Sequence, residues 1–317
     1  NTGKYKLMQL NKIFVNKAST EMVVIAFTLL IISLQYYFAS RDDLSPIVYA
    51  SGKTNDKFGV LEIYPTAPGG QTWFFNPTSP ADGQFDENGA DITNNANGSW
   101  HVEPGTTRML AFTNNSGILS DEARANLTTY DYSELAKTGY WYAPQDWKNL
   151  EITGYFKVTN IIKGGGEDIS LVSRGIRHDD DVYDGCGGSS YHNNIDVIKG
   201  QFRFKKEMYH VNYDTTPYTG ITIGSQMNKW FGFKGIVYNM PDGNIKLESY
   251  VDKANNNHWE KAAEMIDKSD WGNDMTYCNA PTPGEKISWG SPEIIFKTNE
   301  KVFDFQKLSV REIIPPR

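Results

Sequence analysis

Polar and titratable side chains are most concentrated between residues 173 and 213. Three of the five histidines, His178, His192 and His210, lie in this stretch among arginine, aspartate, glutamate and tyrosine residues. This inventory suits β-elimination at an acidic sugar, in which a cation neutralises the carboxylate, a base removes the adjacent carbon-bound proton and an acid protonates the leaving oxygen. It also suits a binding surface held together by hydrogen bonds, and we favour binding over catalysis.

Residues 201–213 have two different faces if they form a strand. One face carries Phe202, Phe204, Lys206, Met208 and His210, and the other carries Gln201, Arg203, Lys205, Glu207, Tyr209 and Tyr213. Since successive side chains of a strand project to opposite sides, His210 and Tyr213 point apart unless a bulge intervenes. The face with Glu207 and Tyr213 is therefore the predicted groove, and His210 is predicted to be a core histidine.

Aromatic residues make up 13% of the chain, with 8 Trp and 18 Tyr. Flat rings with polar edges suit the faces of sugars. We therefore predict that Trp147, Tyr155 and Tyr250, together with Lys206, contact a ligand. The alternative is that these rings fill the core and edges of a β-sandwich.

Other classes of site have weaker signals. The run Glu-x-Asp-x-Glu of jelly-roll glycoside hydrolases does not occur, and neither does a phosphate-binding glycine loop. The net charge of −7 and the lack of a basic cluster in the globular part argue against nucleic acid as a partner. No cofactor is predicted. Calcium is the one possible ion, because four acidic residues offer hard oxygen ligands, Asp179, Asp180, Asp181 and Asp184.

The two cysteines and three glycosylation sequons fit a location outside the cytoplasm. Cys186 and Cys278 do not form a C-x-x-C motif, so we predict one disulfide between them, with two buried free thiols as the alternative. The sequons are at Asn97, Asn114 and Asn126.

Alternating apolar and polar residues predict β-strands along most of the chain. The clearest are 151–158, with Ile152, Phe156 and Val158 on one face, and 244–252, which follows the turn signal 241–243. Further strands are predicted at 59–64, 108–113, 230–238 and 302–313. Short helices are predicted at 121–125, 132–137 and 258–268, the last with an inner face of Ala262, Ala263 and Met265. Many strands and few helices indicate an all-β, antiparallel sandwich.

Three segments carry a resemblance to a known superfamily: 147–155 (WKNLEITGY), 230–252 and 305–313 (FQKLSVREI). Together they resemble the concanavalin A-like jelly roll, which includes laminin-G modules, legume-type lectins and alginate-lyase-like polysaccharide lyases. The overall pattern also resembles surface or secreted proteins of ammonia-oxidising archaea. The resemblance implies a jelly-roll fold over residues 145–317, and more loosely from residue 55. This fold hosts both enzymes and binding proteins.

The resemblance to the lyases also implies roles for individual residues. An arginine-rich strand faces strands with His and Tyr in these enzymes, so Arg174 or Arg177 would neutralise the sugar carboxylate. His178 or His210 would be the base and Tyr213 the acid. Glu207 lies on the same predicted face as Tyr213. The family's Arg-x-Glu-x-Arg strand is matched only by Arg174-Gly-Ile-Arg177, without the glutamate, and its Gln-Ile-His pattern is absent.

Residues 22–40 contain no charged side chain and are long enough to cross a hydrocarbon core. Lysines precede this segment, and Arg41, Asp42 and Asp43 follow it, which predicts a cytoplasmic N-terminus. An uncleaved anchor is favoured over a cleaved signal because no small-x-small cleavage site ends the segment.

The predicted organisation is thus a basic cytoplasmic segment (1–20), an anchor or signal helix (21–40) and an extracytoplasmic sandwich (41–317). Within the sandwich, 45–145 is rich in loops and 146–317 holds the main strands. The predicted function is that of a membrane-anchored or secreted cell-surface protein that binds a polysaccharide or cell-envelope glycan. The alternative is a polysaccharide lyase that cleaves a uronic-acid glycan.

Overall fold

Segments with alternating apolar and polar residues form fifteen β-strands in the computed structural model. The structure describes residues 54–80, 84–113, 147–162, 168–175, 189–208, 212–272, 284, 286–291 and 293–316. The fold of this part is all-β, as predicted. No helix long and apolar enough to span a membrane is found in these ranges. The predicted anchor at 22–40 and the predicted helices at 121–125 and 132–137 lie outside them.

The strands form two antiparallel sheets. The first has eight strands, and seven of them lie in the order β13 (Glu260–Asp267), β12 (Ile245–Asp252), β11 (Phe231–Asn239), β6 (Leu150–Ile161), β15 (Lys301–Glu312), β4 (Trp100–Val102) and β3 (Ile92–Asn94). The eighth, β1 (Thr72–Phe74), also pairs with β15. The second sheet has the order β10 (Asn212–Thr215), β9 (Gln201–Met208), β8 (Ser190–Asp196), β7 (Asp168–Ser173), β14 (Glu293–Asn299), β5 (Thr106–Phe112) and β2 (Phe85–Asp86).

Apolar side chains from both sheets form the core between them. Phe202 of the seven-stranded sheet packs on Phe233 of the eight-stranded sheet, with ring centroids 6.1 Å apart. The predicted inner positions Ile152, Phe156 and Val158 all belong to this core. The predicted turn at 241–243 joins β11 to β12, and Gly243 takes the positive φ of 79° that the turn requires. The period-2 pattern therefore predicted these strands and their inner faces correctly.

The prediction for 258–268 was wrong, because this segment is the strand β13 and not a helix. Ala262, Ala263 and Met265 do face the core, as expected. A register shift opposite Ser249 and Tyr250 lets the consecutive residues Ala262 and Ala263 both contact the core. That break in the alternation imitates a helical pattern. The predicted strand 59–64 is also absent, since this segment makes only an isolated bridge between Asn55 and Leu61.

The outward face of the eight-stranded sheet is closed by a buried ion cluster around Glu151. Lys234 donates from Nζ to Glu151 and, at 3.0 Å, to Thr153 Oγ1. Arg311 Nη2 lies 2.8 Å from Glu151 Oε1. The backbone amide of Ile63 donates to Glu151 Oε2 at 3.1 Å, which fixes residues 54–67 on this face. The positive charges outweigh the effect of burial and hold the pKa of Glu151 below its ordinary value.

Replacing Glu151 with Gln tests this cluster. The variant keeps the shape and one acceptor oxygen but leaves Lys234 and Arg311 buried without their shared anion. We expect the free energy of unfolding, measured by urea denaturation, to fall by about 3–5 kcal/mol. Lys253→Ala, which breaks an exposed pair with Glu260, is the control and should cost at most about 1 kcal/mol. Equal losses in the two variants would contradict the assignment.

Candidate functional site

Seven of the polar side chains on the outward face of the seven-stranded sheet are considered together, and we call this set the cationic face. Its members are Arg108 (β5), Ser190 and His192 (β8), Lys205 and Glu207 (β9), Tyr213 (β10) and Lys297 (β14). Antiparallel pairing aligns them, because Ser190 and Tyr213 are each paired with Glu207, on opposite sides of β9. His192 is paired with Lys205 and Lys297 with Arg108.

A buried hydrogen-bonded cluster lies at the middle of the cationic face. His192 Nε2 is 3.0 Å from Ser190 Oγ and 3.1 Å from Glu207 Oε2, and the Ser190 hydroxyl donates to the same carboxylate oxygen at 3.1 Å. Both His192 and Glu207 are 1% exposed. His192 Nδ1 has no hydrogen-bond partner among the described residues.

Burial keeps the imidazole of His192 neutral. Desolvation lowers its pKa from the ordinary 6.5 to about 4, and the hydrogen bond and charge of Glu207 only partly oppose this effect. At neutral pH the ring therefore has one nitrogen free to accept a proton or a hydrogen bond.

Tyr213 is the most accessible ring of the cationic face, with 39% of its surface exposed. Lys205 Nζ lies 5.6 Å and Lys297 Nζ 5.7 Å from its ring centroid, within the range of cation–π attraction. The His192 ring lies edge-on to it, with centroids 6.4 Å apart. Tyr213 thus connects the buried cluster to the positive charges around it.

Three cations on this face lie close enough to repel one another. Burial, followed by the charges of Arg108 and Lys205, lowers the pKa of Lys297 to about 8, although Glu207 acts in the opposite sense. Burial also lowers the pKa of Lys205 and of Arg108. None of the three forms an ion pair within the ranges that the structure describes. By contrast, their neighbour Arg203 is paired with Asp168.

The structure brings together two of the predicted catalytic residues, Glu207 and Tyr213, which are directly paired across β9 and β10. Arg174 lies elsewhere, fully buried, and donates to the carbonyl oxygens of Lys148 and Ile287 at 2.6–2.9 Å. Burial lowers its pKa to about 10. Its guanidinium is therefore occupied by backbone acceptors, away from the cationic face.

The four predicted ligand contacts are also distributed away from the cationic face. Trp147 is fully buried, with its indole nitrogen donating to Gln71 O at 3.3 Å. Tyr155 and Tyr250 lie on the outward face of the other sheet, where their hydroxyls bond to Asp252 and Glu248. Lys206 points between the sheets. Each of these four side chains makes packing contacts or hydrogen bonds within the protein, and their contact with a ligand stays a prediction.

Asn97 is exposed in a turn, where its side chain accepts from the amide and hydroxyl of Ser99 at 3.0 and 2.6 Å. The other predicted residues lie outside the described ranges: Arg177, His178, His210, Cys186, Cys278, Asn114 and Asn126. The acidic residues proposed for calcium also lie outside them. In the ranges that are described, no three His, Cys, Asp or Glu side chains are grouped to hold a metal ion.

Sequence reasoning missed His192, Ser190, Lys297 and Arg108 as members of one surface. The alternation of 190–196, SYHNNID, could have placed Ser190 and His192 on one face of a strand. Nothing in the sequence indicates that Lys297 lies beside Arg108, because the strands that pair them are far apart in the chain.

The chain matches no protein-family model and no curated protein. It is similar to a solved protein of unknown function with a galectin-like fold from Bacillus subtilis, at 9% identity over 80% of this chain and 100% of that chain, with a TM-score of 0.45.

Two further solved structures are similar over most of the chain. One is the Ca²⁺-bound exoplasmic/lumenal domain of VIP36, at 9% identity over 74% of this chain and 84% of that chain, with a TM-score of 0.39. The other is an endo-β-1,4-glucuronan lyase from the fungus Trichoderma reesei, at 7% identity over 73% and 92% respectively, with a TM-score of 0.37. Similarity this low carries no functional argument, so the residues of the cationic face have to supply it.

The neutral state of His192 can be tested through the pH dependence of stability. The unfolded chain binds a proton at this residue below about pH 6.5, whereas the folded chain binds it only near pH 4. The stabilisation is therefore complete above pH 6.5 and is lost as the pH falls towards 4, by about 3 kcal/mol in free energy of unfolding.

We expect His192→Gln to flatten the pH dependence of the unfolding free energy between pH 6.5 and 4, measured by urea denaturation at several pH values. His258→Gln, at an exposed histidine, is the matched control and should keep the wild-type slope. An unchanged slope in His192→Gln would show that the ring is not held neutral.

Proposed function

We propose that this chain is a concanavalin A-like jelly-roll protein of the cell exterior that binds an acidic polysaccharide or cell-envelope glycan through the cationic face. We further propose that it is membrane-anchored or secreted, as the apolar segment at 22–40 suggests. The observation that supports binding most directly is the exposed ring of Tyr213 beside two lysines and an arginine without carboxylate partners among the described residues.

The charges of the face favour an anionic ligand. Lys205, Lys297 and Arg108 repel one another across a partly desolvated surface, and this repulsion adds to the effect of burial in lowering the pKa of Lys297. A bound carboxylate would relieve it through charge-assisted hydrogen bonds. Because the chain as a whole has a net charge of −7, the attraction would be local to this face.

The aromatic ring favours a sugar over a simple anion. Tyr213 offers a flat apolar surface with a polar edge, which suits the apolar face of a pyranose and its hydroxyl groups. Glu207 and Ser190 are engaged with His192 beneath this ring. The buried cluster would therefore act as a rigid support for a binding surface.

Binding can be measured by calorimetry with a panel of uronic-acid polysaccharides and neutral polysaccharides of similar length. We expect the acidic polymers to bind, with an affinity that falls as salt is added. Lys297→Met keeps the aliphatic stem and removes the charge, so binding should weaken about tenfold or more.

The matched control is Lys229→Met, because Lys229 is exposed and lies outside the cationic face. It should bind like the wild-type protein. Equal binding of neutral and acidic polymers, or equal loss in both variants, would contradict the proposal. Equivalent binding of double-stranded DNA would point to a general anion surface instead of a glycan site.

A second candidate function, β-elimination by a polysaccharide lyase, is favoured by the neutral imidazole of His192 next to Tyr213. In this reading Tyr213, the exposed group, would exchange the proton with the sugar. The lysines would neutralise the uronate, and His192 would act through the tyrosine, because it is itself only 1% exposed. Because His192 is buried too deeply to contact the sugar directly, we prefer binding over catalysis.

The two functions differ in their product. A lyase generates an unsaturated sugar, so ultraviolet absorbance should rise when the protein is incubated with a uronic-acid polymer. Tyr213→Phe should reduce that rate by about 10²–10⁴, whereas Tyr238→Phe, on the outward face of the other sheet, should leave it unchanged. A flat trace with folded wild-type protein would exclude the lyase for the polymers tested.

A further inference from the structure

The space between the two sheets contains a charged pair that the proposed binding function does not use. Lys206 projects inward from β9, and Asp267 is the last residue of β13 in the opposite sheet. Lys206 Nζ lies 2.7 Å from Asp267 Oδ2, and both side chains are 0% exposed. The pair therefore bridges the sheets at a point without access to solvent.

Aromatic side chains, a hydroxyl group and two backbone carbonyl groups surround this pair. Lys206 Nζ donates to the carbonyl oxygens of Trp271 at 3.0 Å and Gly284 at 3.4 Å. The rings of Tyr191 and Trp271 each have their centroid 5.9 Å from Lys206 Nζ. The Tyr191 hydroxyl donates to Asp267 Oδ2 at 2.5 Å and accepts from the amide of Ile287 at 3.1 Å. The amide of Ser269 donates to the other oxygen, Asp267 Oδ1, at 2.9 Å. The two oxygens of this carboxyl group are thus in different environments.

Lys234 and Glu151 form a second fully buried pair in the same molecule, and its surroundings differ from those of Lys206 and Asp267. Glu151 is shared with Arg311, and the two cations lower its pKa, which keeps it an unreactive anion. Asp267 has Lys206 as its cation and the neutral hydroxyl of Tyr191 as its other side-chain donor. Transfer of one proton from Lys206 to Asp267 would leave two neutral groups and would remove the cost of holding two charges away from water.

We propose that Lys206 and Asp267 form an intramolecular isopeptide bond that covalently joins the two sheets. The amino group of Lys206 and the carboxyl group of Asp267 already lie in contact, and their side chains approach each other from opposite sides of the core. The product, a secondary amide, carries no charge. The reaction therefore removes the desolvation cost of two buried ions.

The reaction needs no additional reagent. One ammonium proton of Lys206 moves to Asp267 Oδ2, and the amine lone pair then attacks Cγ to form a tetrahedral intermediate. A second nitrogen-bound proton passes to the Oδ2 hydroxyl group, the Cγ–Oδ2 bond breaks and one water molecule leaves. The Cγ–Nζ bond and the remaining carbonyl, Oδ1, complete the amide.

The geometry gives Tyr191 and Ser269 distinct parts in these steps. The Tyr191 hydroxyl polarises the oxygen that leaves and can relay the second proton to it. The amide of Ser269 stabilises the charge that develops on Oδ1 in the tetrahedral intermediate. In contrast, the carboxylate of Glu151 is bound by two cations that oppose its protonation.

Peptide mapping of the full chain by mass spectrometry, after reduction and alkylation of the cysteines, tests this proposal. In an unlinked chain trypsin cleaves after Lys205 and after Lys206, so it releases residues 207–229 and 262–268 as separate peptides. The expected result is one branched species that joins residues 206–229 to residues 262–268, because trypsin does not cleave after an acylated Lys206. Its mass should be lower than the sum of these two segments by about 18 Da, the mass of one water molecule. Lys206→Met and Asp267→Ala should both abolish it, and Tyr191→Phe should reduce its yield.

The buried pair Lys234 and Glu151 serves as the control, and its peptides 230–234 and 149–157 should be recovered unlinked. Quantitative recovery of 207–229 and 262–268 as separate peptides from folded wild-type protein would overturn the proposal. A loss of about 18 Da found only in the peptide that contains Asp242 and Gly243 would also overturn the proposal. Formation of a succinimide at Asp242 removes one water molecule too, but it joins no second peptide. The deciding observation is made on the wild-type protein, so the test remains valid even if a variant fails to fold.

Discussion

The buried carboxylate of Glu151 is the interaction on which the arrangement of the sandwich depends. Its oxygens accept hydrogen bonds from Lys234 on β11 and the amide of Ile63 and form an ion pair with Arg311 on β15, so one side chain connects the central strands to the segment 54–67. Two hydrogen-bond donors and one further cation compensate the charge, which would otherwise be costly to bury. The outward face of the eight-stranded sheet is therefore committed to structure, and the ligand is expected on the other sheet.

Three buried or half-buried lysines show how the surroundings decide what a charge does. Lys234 shares an anion with a second cation, which fixes both charges and makes the site structural. Lys206 meets a carboxyl group that a tyrosine polarises, which makes the pair reactive. Lys297 lies among other cations, and burial, followed by the charges of these cations, lowers its pKa. Of these three lysines, only Lys297 forms no ion pair among the described residues, so only here would an anionic ligand supply the partner.

Local alternation made much of the fold predictable from the sequence. It predicted the strands at 151–158 and 244–252 and put Glu207 on the outward side of β9, with Lys206 on the inner side. It failed at 258–268, where a bulge broke the period of two. It could not predict the cationic face, because Lys297 meets Arg108 only through strand pairing between distant segments. Arg174 was similarly unpredictable, since its partners are backbone carbonyls.

The strand β9 links the two proposals through its alternation. Lys205 and Glu207 face the ligand side, and Lys206 between them faces Asp267 in the opposite sheet. A bond at Lys206 would restrict the backbone that carries both of its neighbours, so the residues of the cationic face would lose less conformational freedom when a glycan binds. Such a bond contacts no ligand, yet it would lower the entropic cost of binding. The interior chemistry and the surface function can therefore be coupled through three consecutive residues.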